Sequence, residues 1–268
     1  MLGRIRSYLV WRLVLRHPRV HRLLTVVTAP DRDVDIRLLG VRLRVNRRRE
    51  HGYFRAARLA DKSPVLQWET ASLMSLALIL DRNDTFVDVG ANVGLYATQI
   101  AKAQGLFPGL RIYAFEAHPE TAKRLAASLA DRATEVHVVA LSDKDEELAF
   151  VDGAVSFVFG VQGHSSAHFQ TPVPSMLLHA RRLDSFPIEG GALIIKIDVE
   201  GHERPVLDGA SAFFEQQRVK AVYLDGYEDR GIPDWLEERG FRLFDGRSLA
   251  PGNSGFSLLA IHRKWLPH

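Results

Sequence analysis

An α/β fold, doubly wound around a mostly parallel sheet, follows from three features of this 268-residue sequence. Apolar, β-branched runs alternate with amphipathic stretches from about residue 85 onward, the pattern of strands and covering helices in turn. The first run, TFVDV, ends in a small-residue turn, GANVG, and a helical pattern begins at once. A later run, ALIIKI, empties into ionisable residues, DVEGHE, before a second helix resumes. Ligands of open α/β sheets collect at the carboxyl ends of the strands, so both turns are expected on one rim.

Taken in order, residues 4–27 alternate arginines with Ile, Leu, Val and Trp11 and break near Pro18, a basic amphipathic helical segment. Such a segment either lies on an anionic membrane surface or packs its apolar side against the rest of the chain. DVDIRLLGVRLRVNRR alternates at period two around Gly40 and reads as a β-hairpin. Residues 1–65 therefore form an N-terminal extension, and residues 66–268 the main domain. LQWETASLMSLALIL, from Leu66 to Leu80, reads as a helix. Strands are expected at 85–90, 111–116, 135–140, 192–198 and 219–224, and helices at 93–104, 119–130, 203–215 and 232–239. The closing stretch from Gly240 reads as two strands joined by a turn, an antiparallel finish. Residues 141–191 are too long for a simple crossover and hold a hairpin, ELAFV with VSFVFGV, and a polar loop, GHSSAHFQTPVP. Long polar insertions in compact domains are usually functional.

Charge is unevenly placed. Residues 1–60 hold 15 arginines against 4 acids, whereas the remainder holds 20 basic and 28 acidic residues. That asymmetry suggests an anionic partner for the extension, although 28 of the 35 basic residues are Arg, as a GC-rich coding bias would also produce. The absence of cysteine excludes disulfides and thiolate metal sites. No run reaches the roughly 20 apolar residues of a membrane span. Arg12 and Arg16 interrupt the first apolar stretch, so it lacks the shape of a signal peptide. A cytoplasmic location is expected, with the 4–27 segment a candidate for contact with the inner membrane face.

The first turn is built for a nucleoside-bearing cofactor. Its spacing, Asp88-x-Gly90-x-Asn92-x-Gly94 with Ala91 between, departs from the Gly-x-Gly-x-x-Gly of dinucleotide sites, because Asn92 and Leu95 replace the second and third glycines. A carboxylate in the turn repels phosphates and suits a cationic amino-acid cofactor such as S-adenosylmethionine. Glu116 ends the second strand 22 residues beyond Gly94, where an acid accepts both hydroxyls of a ribose. Leu141 and Asp143, after the third strand, are then candidates for the adenine edge. At the fourth strand end, Asp198, Glu200 and His202 are the candidate catalytic residues, with Glu203 beside them. Asp198 would touch both cofactor and substrate, and His202 titrates in the range a general base needs. The spacing matches no zinc motif, and no metal is expected.

Together FVDVGANVGLY, YAFEAHPE, VVALSDKDEE and the specific segment IKIDVEGHE resemble the FkbM-type methyltransferases, a branch of the class I S-adenosylmethionine-dependent enzymes. The resemblance runs from about Trp68 to Ile261. It implies a Rossmann-like, seven-stranded sheet with an antiparallel last strand, and O-methylation of a hydroxyl on a sugar, glycolipid or secondary metabolite. It also implies that Asp88, Gly90, Asn92 and Gly94 shape the methionine end of the pocket, that Glu116 binds ribose, and that residues 198–203 line the reaction centre. Ser165 and Ser166 fall where relatives carry a Gly-x-Ser-Ser loop. Asp225 stands for the acid at the fifth strand end, and Val139 replaces a frequent Asn. The expected chemistry is in-line methyl transfer with His202, assisted by Asp198, taking the proton. Three other readings compete. An NAD-dependent oxidoreductase is disfavoured by Asn92 and Leu95. A nucleic-acid methyltransferase would use the basic extension, yet the chain lacks an Asn/Asp-Pro-Pro-Tyr/Phe motif and stacking aromatics among the arginines. The third is a non-catalytic membrane-associated module.

Overall fold

The structure, a computed structural model, describes residues 30–59, 64–151, 157–160, 176–253 and 256–266. The 4–27 segment and the serines Ser165 and Ser166 lie outside these residues. The chain enters through the hairpin β1 (Asp33–Leu38) and β2 (Val41–Asn46), paired antiparallel. Leu39 and Gly40 at its tip both have positive φ, 49° and 75°, as a two-residue turn matching the strand twist requires. Helices α1 (His51–Leu59) and α2 (Pro64–Leu78) follow.

The main sheet is then laid down in strand–helix alternation: β3 (Thr85–Val89), α3 (Leu95–Lys102), β4 (Arg111–Phe115), α4 (Pro119–Ser128) and β5 (Glu135–His137). An insertion carries β6 (Ala140–Leu141), β7 (Glu146–Val151), β8 (Phe157–Gly160) and β9 (Met176–Arg181). The alternation resumes with β10 (Leu193–Ile197), α5 (Glu203–Asp208), α6 (Ser211–Glu215), β11 (Val219–Asp225) and α7 (Ile232–Glu238). It closes with β12 (Phe241–Asp245) and β13 (Ser257–His262). The seven-stranded order is β12-β13-β11-β10-β3-β4-β5, with β13 antiparallel to both its neighbours and the other pairs parallel. The Rossmann-like sheet with one reversed strand is therefore present.

Every residue of the central strands β3 and β10 is buried, which is why both read as near-continuous apolar runs. Alternate residues feed two cores. Phe86, Ala114, Ile194 and Tyr223 face α2, α3, α4 and the hairpin, whereas Val87, Phe115, Ile195 and Val222 face α5, α6 and α7. Ile36, Leu38, Leu43 and Val45 of the hairpin join the first core, and a buried Arg124–Glu50 pair at 2.7 Å ties α4 to the residue just before α1.

Two expectations fail in detail. The strand foreseen at 135–140 stops at His137, and Ala140–Leu141 turn away to pair with β9 in a second sheet, ordered β6-β9-β7-β8. The β7–β8 hairpin was legible, but β9 was not foreseen. The helix foreseen at 203–215 is two helices. A Cβ on Gly209 would lie 2.0 Å from the Ser142 carbonyl oxygen, so the insertion presses against the break, and Asp184 there accepts the Ala212 N–H to cap α6.

Candidate functional site

The carboxyl ends of β3, β4, β10 and β11 share one rim, and the turn after β3 is fastened to its neighbours by main-chain bonds. The N–H groups of Gly90 and Ala91 both donate to the Phe115 carbonyl. Gly90 (φ 70°), Asn92 (φ 50°) and Gly94 (φ 88°) are left-handed, a conformation that Asn tolerates better than other side-chain-bearing residues. A Cβ on Gly90 would lie 2.0 Å from the Asp198 carbonyl oxygen, so the first turn and the β10 end are packed backbone to backbone. Gly94 opens α3 without a side-chain cap of its own, and the Ala97 N–H of the first turn is taken by the carboxylate of Asp88.

Asp88 does not face that rim. It is fully buried, with Oδ1 3.1 Å from Lys196 Nζ and Oδ2 accepting the Ala97 N–H. The two residues are register partners in β3 and β10, so adjacent strands on one face dictate the pair. Lys196 Nζ also reaches the Gly90 carbonyl and Asp198 Oδ2, each at 3.4 Å. Burial works against its charge, but Asp88 and Asp198 overcome that and hold the ammonium well above its ordinary value. Asp88 thus supports the turn from beneath, through Lys196, where the sequence suggested direct contact with a ligand.

Glu116 directly follows β4, at its carboxyl end. Its two oxygens accept the N–H groups of Asn92 and His118, at 2.9 and 2.8 Å, which bridges the first two strand ends. A carboxylate has about four acceptor positions, so lone pairs remain for hydroxyls. Burial raises its pKa, with both backbone donors opposing. Beyond it, Leu141 is buried and Asp143 exposed. Arg182 holds the Asp143 carbonyl at 2.6 Å while gripping Asp184 through two bonds.

At the β10 end, the expected pairing of His202 with Asp198 gives way to another contact. His202 Nε2 lies 3.1 Å from Ser142 Oγ, whose hydroxyl donates to Glu146 Oε1. Burial lowers its pKa against the pull of Glu146 and Asp143. The sequence could not show this, because the turn through Glu200 (φ 46°) and Gly201 (φ 87°) rotates the next side chain toward the insertion. Glu203 is buried and accepts the Gly201 N–H at 2.7 Å, stapling that turn. Asp198 and the exposed Glu200 remain on the rim.

Sequence inspection passed over three residues. Glu69 projects from α2 toward Tyr96. Burial, with Asp225 and Asp198 nearby, pushes it up to about 7, and Lys196 and Tyr96 oppose the shift. Its only sequence signal was a lone acid in an otherwise apolar helix. Arg247 pairs with Asp225 at 3.1 Å, and Lys196 was visible only as a cation inside a buried strand. Glu69, Asp198, Glu200, Glu203, Asp225 and Glu228 are electrostatically coupled, and Lys196 and Arg247 offset part of that charge. Among the described residues no group of three or more acids or histidines is arranged to hold a metal ion.

The model of the methyltransferase FkbM domain matches residues 88–243, from the buried Asp88 through β12. The chain belongs to the FkbM methyltransferase family. S-adenosylmethionine is its cofactor, and the site fits that group: a left-handed turn without the dinucleotide glycine spacing, and Glu116 with spare acceptor positions. No curated protein matches this FkbM-family chain. Among solved structures it is similar to an rRNA methylase from Streptococcus thermophilus, with TM-score 0.41 and 13% identity over 73% of this chain and 96% of that one. It is also similar to a TehB-like SAM-dependent methyltransferase from Corynebacterium glutamicum, with TM-score 0.43 and 12% identity over 79% and 97%. A precorrin-6y C5,15-methyltransferase from Geobacter metallireducens gives TM-score 0.40 and 16% identity over 76% and 91%. No helix among the described residues is long and apolar enough to cross a membrane.

Proposed function

We propose that this methyltransferase acts on a neutral hydroxyl, carried by a sugar, glycolipid or secondary-metabolite alcohol. The observation that carries the reading is the acid-rich rim where β10 and β11 end, with Glu69 held near neutrality beside Asp198 and Asp225. A polyanionic acceptor such as RNA would meet like charge there, whereas hydroxyls donate well to carboxylates. When bound, S-adenosylmethionine supplies an electrophilic methyl group on its sulfonium. Glu116 holds the ribose, and the backbone of Gly90 to Gly94 receives the amino-acid end. Asp198, fixed by Lys196, orients the acceptor hydroxyl, and positioning of this kind accounts for much of the rate of a transfer reaction. Glu69 takes the released proton, since a base with a pKa near the working pH is the efficient choice. His202, on the Ser142 side, shapes the nucleoside end of the pocket.

The test is incubation of the full chain with methyl-labelled S-adenosylmethionine and a panel of glycosides, glycolipids and macrolide alcohols, followed by NMR of the product. A labelled methoxy group is expected. Label on an acceptor nitrogen or carbon, or on RNA alone, would overturn the reading.

A further inference from the structure

We propose that Trp68 and Phe256 form an acceptor platform that receives the apolar face of a neutral pyranose ring. This rests on the hydroxyl-methylation reading above and names the acceptor class within it. Trp68 is 51% exposed and Phe256 56% exposed, more than large aromatic side chains usually are. They are not isolated. The Arg247 guanidinium lies over both rings, 5.3 Å from the Trp68 centroid and 4.3 Å from that of Phe256. Arg247 is in turn held by Asp225 at 3.1 Å, at the end of β11, the strand directly paired with β10. The platform is thus one strand away from Asp198, and Trp68 is the immediate neighbour of Glu69 on α2. It joins α2 to the β12–β13 connection, elements far apart in the chain, around one ion pair.

The surrounding chemistry selects the ligand. A pyranose offers a flat patch of C–H groups on one face and hydroxyls around its edge, and so needs an open aromatic face ringed by fixed acceptors. Asp225 is fixed by Arg247, and the Asn253 side chain is held by the Tyr227 hydroxyl, whose hydrogen bond its oxygen accepts at 2.6 Å. A purely apolar alcohol would cover these polar groups without satisfying them, at a cost in binding. A phosphorylated or carboxylated sugar would meet the carboxylates of the rim.

Saturation-transfer NMR on the full chain tests the platform. The probes are methyl α-D-mannopyranoside, methyl α-L-rhamnopyranoside, methyl β-D-glucopyranoside, cyclohexanol and glucose 6-phosphate, each with S-adenosylhomocysteine present and absent. Ring protons of at least one neutral pyranoside should saturate, more strongly than cyclohexanol or glucose 6-phosphate. The signal should fall about ten-fold in Trp68→Ala and several-fold in Phe256→Ala, with Trp68→Phe retaining part of it. No pyranoside signal, a stronger cyclohexanol signal, or a signal unchanged in both alanine variants would overturn the platform. Calorimetry of S-adenosylhomocysteine on the same samples separates the two readings. Cofactor binding without any pyranoside signal removes the platform and leaves methyl transfer standing. A Trp68-dependent pyranoside signal without cofactor binding does the reverse.

Discussion

The two halves of the crevice are constructed differently. The cofactor half is made of main chain: three left-handed residues in one short turn, N–H groups fastened to the Phe115 carbonyl, and Glu116 bridging two strand ends through backbone donors. The half proposed for the acceptor is made of side chains from α2, β11 and the β12–β13 connection, held by ion pairs and rings. A half built from backbone keeps its shape whichever side chains surround it. A half built from side chains can be re-specified residue by residue while the sheet stays the same.

If that contrast is right, damage beneath the cofactor half should cost the fold, and damage in the acceptor half should not. The largest effect is expected for Asp88→Ala, which strands the buried Lys196 ammonium and should destabilise the protein by about 3–5 kcal/mol in chemical denaturation. A loss below ~1 kcal/mol would mean that Lys196 finds other compensation. Glu116→Ala should keep the melting temperature within a few degrees while weakening S-adenosylmethionine binding by roughly thirty-fold in calorimetry, the worth of hydrogen bonds to a charged group. Unchanged affinity would remove the ribose assignment.

Glu69→Gln sharpens the comparison from the acceptor side. The folded-state pKa of Glu69, about 7, lies above its ordinary value of 4.5, so the native state holds a proton that the unfolded chain releases. Stability is therefore lost as pH rises from 4.5 to 7, and the Gln variant escapes this loss. Its melting temperature relative to wild type should climb by roughly 5 °C between pH 5 and pH 8. A pH-independent difference would place Glu69 in a more solvated setting. The smallest effect concerns His202. Glu146 pulls its pKa upward against burial, so Glu146→Gln should move the NMR titration midpoint still lower, by about half a unit. An upward move would mean that Glu146 does not face the ring.

The same division explains what the sequence disclosed. Turns such as GANVG and DVEGHE are contiguous, and their glycines and acids announce a strand end, so the fold and the cofactor were legible. The partnership of Asp88 with Lys196 was legible in principle, since each is the lone charge in a fully buried strand, but it required the β3–β10 register. Glu69, Asp225, Arg247 and Phe256 span most of the chain, and no local pattern marks them as neighbours. The direction of His202 and the break at Gly209 share one cause, contact with the insertion at Ser142. That is a tertiary event with no trace in periodicity, and β9, which completes the insertion's sheet, was missed for the same reason.

The close approach of Gly90 to the Asp198 carbonyl has a thermodynamic side. The turn after β3, proposed to cradle the methyl donor, and the end of β10, proposed to orient the acceptor, touch backbone to backbone there, so a shift in one presses on the other and they form a common joint. Whatever occupancy of one side does to the set of that joint is felt on the other, and linkage makes the effect mutual: any factor by which the donor improves acceptor affinity, the acceptor returns to the donor. In the proposed geometry such a joint sets the distance between the two ligands from beneath.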